Sequence, residues 1–146
     1  CVENLVKKFP DQIVGVKDSS YNLFEKLNLK NFSVMVGSEA KLLKGLENGC
    51  SGVITATCNA TSQLARKVYD DFKDNKDQLF NQKLINVRES FEKYNLISGL
   101  HTLFSLEDKI YENLLPPLSL LNEADKKNLL QNLKDLNFEK KSQLAA

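Results

Sequence analysis

Lys17 lies near the end of the run IVGVKDSS over positions 13–20, where a short apolar stretch is followed directly by an Asp-Ser-Ser turn. A lysine at the C-terminal end of an apolar strand is desolvated from one side while its amine faces a cleft. Desolvation favours the neutral amine, the form that attacks a carbonyl carbon. That arrangement suits Schiff-base chemistry, and the plainer reading is a lysine reaching into solvent. Two more sets of residues follow apolar runs in the same way: Gly37-Ser38-Glu39 after 32–36, and Thr55-Ala56-Thr57 at the end of the run GVITA, 52–56. In a parallel sheet these three ends converge on one rim, where open and closed α/β folds bind ligands.

Other chemistries find little support. Ser19 and Ser20 sit in no nucleophile-elbow motif, and the single histidine, His101, lies far along the chain in a helical pattern. A lone imidazole builds no metal cluster, so His101 reads as structural or surface. Cys1, Cys50 and Cys58 are odd in number and widely spaced, which argues against both a disulfide framework and zinc spacing. Cys50 and Cys58 read as small buried residues beside the third strand, and a reducing, cytoplasmic setting is expected. Lysine plus arginine number 20 against 19 acids, so no broad field favours nucleic acid or an anionic membrane. Local pairs such as Lys7-Lys8 and Lys126-Lys127 alternate with acids and read as solvated helix faces. No apolar stretch reaches spanning length, and no basic-then-apolar leader is expected.

The elements that must position Lys17 alternate in the first half. The pattern predicts a helix over 3–9 broken at Pro10-Asp11, a strand over 13–16 and a helix over 21–29 with Leu23, Phe24 and Leu27 on one face. A strand over 32–36 follows, then a helix over 39–48 with Leu42, Leu43 and Leu46 inward and Gly49 as its left-handed cap. The third strand, 52–56, precedes a longer helix beginning near Thr61, with Leu64, Ala65, Val68, Tyr69 and Phe72 as its buried stripe. Strand-helix alternation with apolar strands implies parallel pairing, covered on both faces.

From 77 to 103 the pattern is helical, with Leu84, Val87, Phe91 and Tyr94 forming a ridge. Residues 114–121 hold Pro116-Pro117 and are expected to run extended. Asn122 caps a last helix with Leu129, Leu130, Leu133 and Leu136 inward, and the 139–146 tail is expected to fray. The expected division is an α/β portion over 1–75 and a helical extension over 76–146. Three parallel strands leave two edges and a partial core, so the chain is either a small three-layer domain or a piece of something larger.

The run IVGVKDSS together with VMVGSEAKLLKGLENGCSGVITATCN closely resembles the C-terminal half of the dihydrodipicolinate synthase and N-acetylneuraminate lyase family. These are pyruvate-handling class I aldolases built on a (β/α)8 barrel. The later PPLSLLNEADKKNLLQNL is similar to the family's closing segment. The resemblance is strongest over 13–59 and weakest over 74–114. It implies that this chain carries strands six to eight of a TIM barrel plus a helical C-terminal extension, with Lys17 as the Schiff-base lysine on strand six. It places Gly37, Ser38 and Glu39 where strand seven ends and the substrate chain is contacted, and Ile54, Thr55 and Ala56 on strand eight as further substrate-binding residues, with the backbone around Ile54 holding pyruvate or its attached chain. Thr57 and Asn59 fall in the turn into the eighth helix, and Asp18 orients the turn beyond Lys17.

The family's carboxylate-binding segment after strand two and its proton-shuttling tyrosine on strand five would both lie before Cys1. Tyr21 follows the lysine turn and the other tyrosines fall in later helices, so none here takes that role. The expectation is therefore a C-terminal piece whose partner is the N-terminal half of the barrel, on another chain or a lost segment. It is expected to be inactive alone and to belong to a homotetramer or dimer when complete.

The resemblance also implies covalent chemistry on a small 2-oxo acid, with no metal and no separate cofactor. Gly37-Ser38-Glu39 resembles the arrangement in aldolases that split 2-keto-3-deoxy sugar acids, where Glu39 would accept substrate hydroxyls; the alternative is an acid favoured at a helix start. Ala40 and Ala56, where sialate lyases carry an acid and a serine, argue against sialic acid. Dihydrodipicolinate synthase, condensing pyruvate with aspartate semialdehyde, is the principal alternative, and a noncatalytic scaffold half-barrel is another.

Overall fold

The computed structural model of the protein describes residues 1–19, 23–27 and 29–139. Three short strands, β1 (Gly15–Asp18), β2 (Ser33–Val36) and β3 (Gly52–Val53), pair in parallel in the order β1-β2-β3. Helices intervene as a parallel sheet requires: α1 (Val2–Lys8) before β1, α2 (Leu23–Lys26) between β1 and β2, and α3 (Leu42–Glu47) between β2 and β3. Then come α4 (Cys58–Lys73), α5 (Asn81–Glu92), α6 (Leu96–Phe104) and α7 (Glu123–Asp135). Among the described residues, no helix is long and apolar enough to cross a membrane.

Register gives the sheet two distinct faces. Val16 pairs with Val34, Lys17 with Met35, Asp18 with Val36, Met35 with Gly52 and Val36 with Val53. Side chains alternate along a strand. Val34 and Val36 therefore enter the core with Val16 and Val53 packed beside them, alongside Phe24, Leu42, Leu46, Cys50, Ala65 and Val68. Lys17, Met35 and Gly52 occupy the opposite, open face. Ile54, one step beyond β3, continues that face and is 51% exposed.

Several boundaries differ from the sequence expectation. β1 runs two residues past the apolar stretch, because backbone pairing accepts Lys17 and Asp18 as readily as valine, so Lys17 sits within the ladder rather than beyond it. β3 is shorter than 52–56. Its last bond to β2 is Ile54 N donating to Val36 O at 2.9 Å, after which Thr55 and Thr57 turn into a side-chain network. The expected helix over 39–48 opens as a 3-10 turn, Glu39–Lys41, before α3, and Gly49 caps it at φ +84°.

Helix α4 starts at Cys58, before Thr61, so Asn59 lies in its first turn rather than in the preceding loop. The helical stretch 77–103 is two helices. Asn95 Oδ1 accepts from Ile97 N and Ser98 N, both at 3.1 Å, and starts α6 anew. Pro116-Pro117 forms a turn, with Leu118 N donating to Leu115 O at 3.0 Å, rather than an extended run. Ser20, Tyr21, part of the expected 21–29 helix and the tail from 140 onward lie outside the described residues.

A second core joins Val87, Phe91, Leu100, Leu129 and Leu133 from α5, α6 and α7. Helix α5 belongs to both cores, since Leu84 packs with the first. Gly99 allows α6 to close on α5: a Cβ there would stand 3.2 Å from Phe91. At the start of α7, Asn122 Oδ1 accepts from Asp125 N at 2.9 Å, the expected cap.

Candidate active site

Lys17 is exposed, and its side-chain amine makes no hydrogen bond or ion pair among the described residues. Its neighbours on the open face are apolar, Met35 in register beside it and Ile54 two strands over. Behind it, Asp18 turns to the opposite face and is buried, its Oδ2 accepting from Leu23 N at 2.9 Å. That bond ties the end of β1 to the start of α2, the orienting part expected of Asp18. Gly37 follows β2 beside this end: a Cβ there would lie 2.9 Å from Asp18 O and 3.1 Å from Ser19 Oγ. Only a residue without a side chain lets β2 exit past the lysine strand.

Glu39, expected to accept substrate hydroxyls, and Thr55, expected among the substrate-binding residues, are both engaged by the protein itself. The Glu39 side chain has 0% exposure, and Arg88 beside it has 7%. Glu39 Oε1 accepts from Thr57 Oγ1 at 2.5 Å and Thr61 Oγ1 at 3.0 Å; Oε2 accepts from Thr55 Oγ1 at 2.9 Å and Arg88 Nη1 at 3.2 Å. Four partners fill the acceptor capacity of a carboxylate. Glu39 is thus the hub of a buried network rather than a free acceptor or a solvated helix-start acid.

Thr55 is equally committed: its hydroxyl donates to Glu39 and accepts from Arg88 Nη1 at 2.8 Å. Ser38 is buried, and Ala56 packs toward the second core. The structure therefore brings Lys17, Gly37 and Ile54 to the open side of the rim and takes Glu39 and Thr55 into the layer behind it.

Arg88 was not among the residues singled out from sequence. Its signal was nevertheless present: one arginine within the ridge of Leu84, Val87 and Phe91, four residues after the first and three before the last. A cation on that stripe requires a buried partner. The same carboxylate acts on Cys58, whose thiol is pushed up to about 12, chiefly by burial and then by the charge of Glu39.

A cleft of about 760 Å³ lies elsewhere, between α4, α6 and residues near the end of α7, lined by Lys67, Phe80, His101, Phe104 and Tyr111 among others. Lys17 is not part of it. His101 lies on its wall with Nδ1 2.8 Å from Tyr111 O, a structural contact. Among the described residues no three His, Cys, Asp or Glu side chains group as metal ligands.

A model of the dihydrodipicolinate synthetase family matches residues 1–136. The chain belongs to that family. Among curated relatives, a 2-dehydro-3-deoxy-D-gluconate/2-dehydro-3-deoxy-phosphogluconate aldolase of Picrophilus torridus is 28% identical over 125 residues, covering 80% of this chain and 46% of the relative. A DapA-like lyase of Halobacterium salinarum is 26% identical over 135 residues, covering 88% of the chain and 44% of the relative. Dihydrodipicolinate synthase from Aquifex aeolicus superposes with a TM-score of 0.79 at 18% identity, over 97% of this chain and 52% of that one. This dihydrodipicolinate synthetase family chain thus has the α/β fold of its TIM-barrel relatives and spans about half their length.

Proposed function

We propose that this chain supplies strands six to eight and the helical C-terminal extension of a TIM-barrel class I aldolase, with Lys17 as its Schiff-base nucleophile. One observation carries the reading: in a chain of this family, the lysine stands on the open face of a parallel sheet, its amine without a partner among the described residues and flanked by apolar Met35 and Ile54. Docking of strands one to five over that face would enclose the amine and exclude water from it.

The chemistry follows from the amine. Neutral Lys17 attacks the C2 ketone of a 2-oxo acid, and loss of water leaves a protonated imine. The iminium accepts the electron pair of the C3–C4 bond as that bond breaks, the C4 hydroxyl losing its proton to a base in the other half of the barrel. An aldehyde departs and an enamine of pyruvate remains. Protonation at C3 and hydrolysis then return pyruvate and the free lysine. The exit of β2 through Gly37 and the Ile54 segment border the space for the substrate chain. Glu39, Thr55, Ser38 and Ala56 support that rim from behind.

For the substrate, the favoured class is a 2-keto-3-deoxy sugar acid, supported by the activity carried in the name of the Picrophilus relative; Glu39, enclosed by its own partners, is not the group that would read the sugar hydroxyls. Condensation of pyruvate with aspartate semialdehyde is the second reading, which the names of the solved dihydrodipicolinate synthases bring forward. The complete enzyme is proposed to be a cytoplasmic homo-oligomer, a tetramer or a dimer, with no cofactor beyond the covalent imine.

The test is borohydride reduction of the assembled protein with pyruvate, followed by peptide mapping. A reduced pyruvyl adduct on Lys17, absent from Lys17→Arg, is the expected result. No adduct with the barrel assembled would favour a noncatalytic scaffold. Turnover of a 2-keto-3-deoxy sugar acid against that of aspartate semialdehyde then separates the two enzymes.

A further inference from the structure

The segment that carries Ile54 onto the Lys17 face leaves the sheet early, the carbonyls of Ala56 and Thr57 bonding to the start of α4 and not to β2. After Ile54 N donates to Val36 O, no backbone bond joins residues 54–57 to β2 among the described residues. Side chains hold it instead. Arg88 Nη1 donates to Thr55 Oγ1 at 2.8 Å and Thr57 Oγ1 at 2.9 Å, and both hydroxyls donate to Glu39. Arg88 is itself fixed along α5 by Nε donating to Glu92 Oε1 at 2.8 Å. Glu39 heads the turn after β2, Thr55 and Thr57 follow the end of β3, Thr61 lies in α4 and Arg88 in α5. One guanidinium thus locks the exits of two adjacent strands to the C-terminal helices.

Stability alone is a weak reason for this arrangement, since a buried ion pair is often no more stabilising than apolar residues of similar volume. Its position directly behind the rim suggests another. We propose that Arg88 is a positioning residue for the open face: through Thr55 and Glu39 it fixes the peptide units on either side of Thr55, and with them the placement of Ile54 relative to Lys17. On this view α5 takes part in shaping the substrate space and is more than packing. The proposal rests on the aldolase reading of Lys17.

The experiment compares Arg88→Gln, Arg88→Lys and Thr55→Val in the assembled barrel, with active sites counted by pyruvate and borohydride trapping on Lys17. Steady-state cleavage of a 2-keto-3-deoxy sugar acid is then expressed per trapped site. Arg88→Gln is expected to lower kcat/KM per trapped site by between about tenfold and about a hundredfold, the scale of a small misplacement near reacting atoms. Arg88→Lys, which keeps the cation, is expected to recover part of that loss. Thr55→Val keeps the shape and the ion pair, so it is expected to fold where Arg88→Gln does not, and to show the same loss.

Parental kcat/KM per trapped site in Arg88→Gln or Thr55→Val, whatever happens to the melting temperature, would mean a purely structural role and overturn the proposal alone. A parent protein that traps no pyruvate overturns the aldolase reading and this proposal with it.

Discussion

The guanidinium of Arg88 stands 3.2 Å from the carboxylate of Glu39 across 49 positions of sequence, and neither side chain is more than 7% exposed. Such a pair tolerates loss of one partner badly, because the survivor is left charged and desolvated. Glu39→Ala is therefore expected to destabilise the protein by about 3 kcal/mol or more, read from urea unfolding. Replacing both, as Glu39→Ala with Arg88→Met, should cost clearly less than the sum of the single changes, since no orphaned charge remains. Additive losses would show that the two groups do not act as a pair.

Gly37 tests the link between the second strand and the lysine. A methyl group there would press on Asp18 O at 2.9 Å and Ser19 Oγ at 3.1 Å, and neither a backbone oxygen nor its neighbour yields freely. Gly37→Ala is expected to cost on the order of 1–3 kcal/mol of stability by overpacking. It should also slow borohydride-trappable adduct formation at Lys17, whereas Gly49→Ala, which strains a cap at φ +84° but meets no neighbouring atom, should cost stability and leave trapping intact. Equal trapping rates in Gly37→Ala and the parent would contradict the tight exit.

Cys58 offers a probe of the buried carboxylate. Its thiol is raised from an ordinary 9.0 to about 12, so at pH 8 its thiolate fraction is roughly a thousandfold below that of an unperturbed thiol. Iodoacetamide should label exposed Cys1 long before Cys58 in the native protein. The sign for stability follows: the folded state holds the proton more tightly, so this contribution is intact below pH 9 and is lost as pH rises from there towards 12. Rapid native labelling of Cys58 would place it outside this environment.

The surface pairs titrate in opposite directions. A hydrogen bond from Lys44 lowers Glu25 below its ordinary 4.5, and one from Arg66 lowers Asp70 below 3.8. Their contribution is present above those values and is lost as pH falls through the depressed ones. Lys76, raised above 10.5 by its hydrogen bond to Asp74, contributes below 10.5 and loses it as pH climbs. All are solvent-exposed, so the effects on stability are small and screened by salt. NMR titration of Glu25 in Lys44→Met should move its midpoint back up towards 4.5; an unmoved midpoint would remove Lys44 as the cause.

Part of the candidate site was legible because local chemistry announced it. The lysine after a short apolar run, glycine after the second strand and the capped, leucine-striped last helix all read directly from residue type and spacing. Element ends were less legible. β1 continues through Lys17 and Asp18, and β3 stops short of Thr55, because ladder length depends on where the neighbouring strand lies and on competing side-chain bonds.

The sequence by itself determined the order of strands and helices, the position of Lys17 near the sheet rim and the family, since period, turn residues and motif spacing are local properties of the chain. Tertiary structure alone decided that Glu39 and Thr55 face inward to Arg88 while Ile54 shares the open face with Lys17. Those outcomes depend on strand register and on a helix dozens of residues away. A carboxylate in water and one enclosed by an arginine and three threonines have the same letter in the sequence, and only packing distinguishes them.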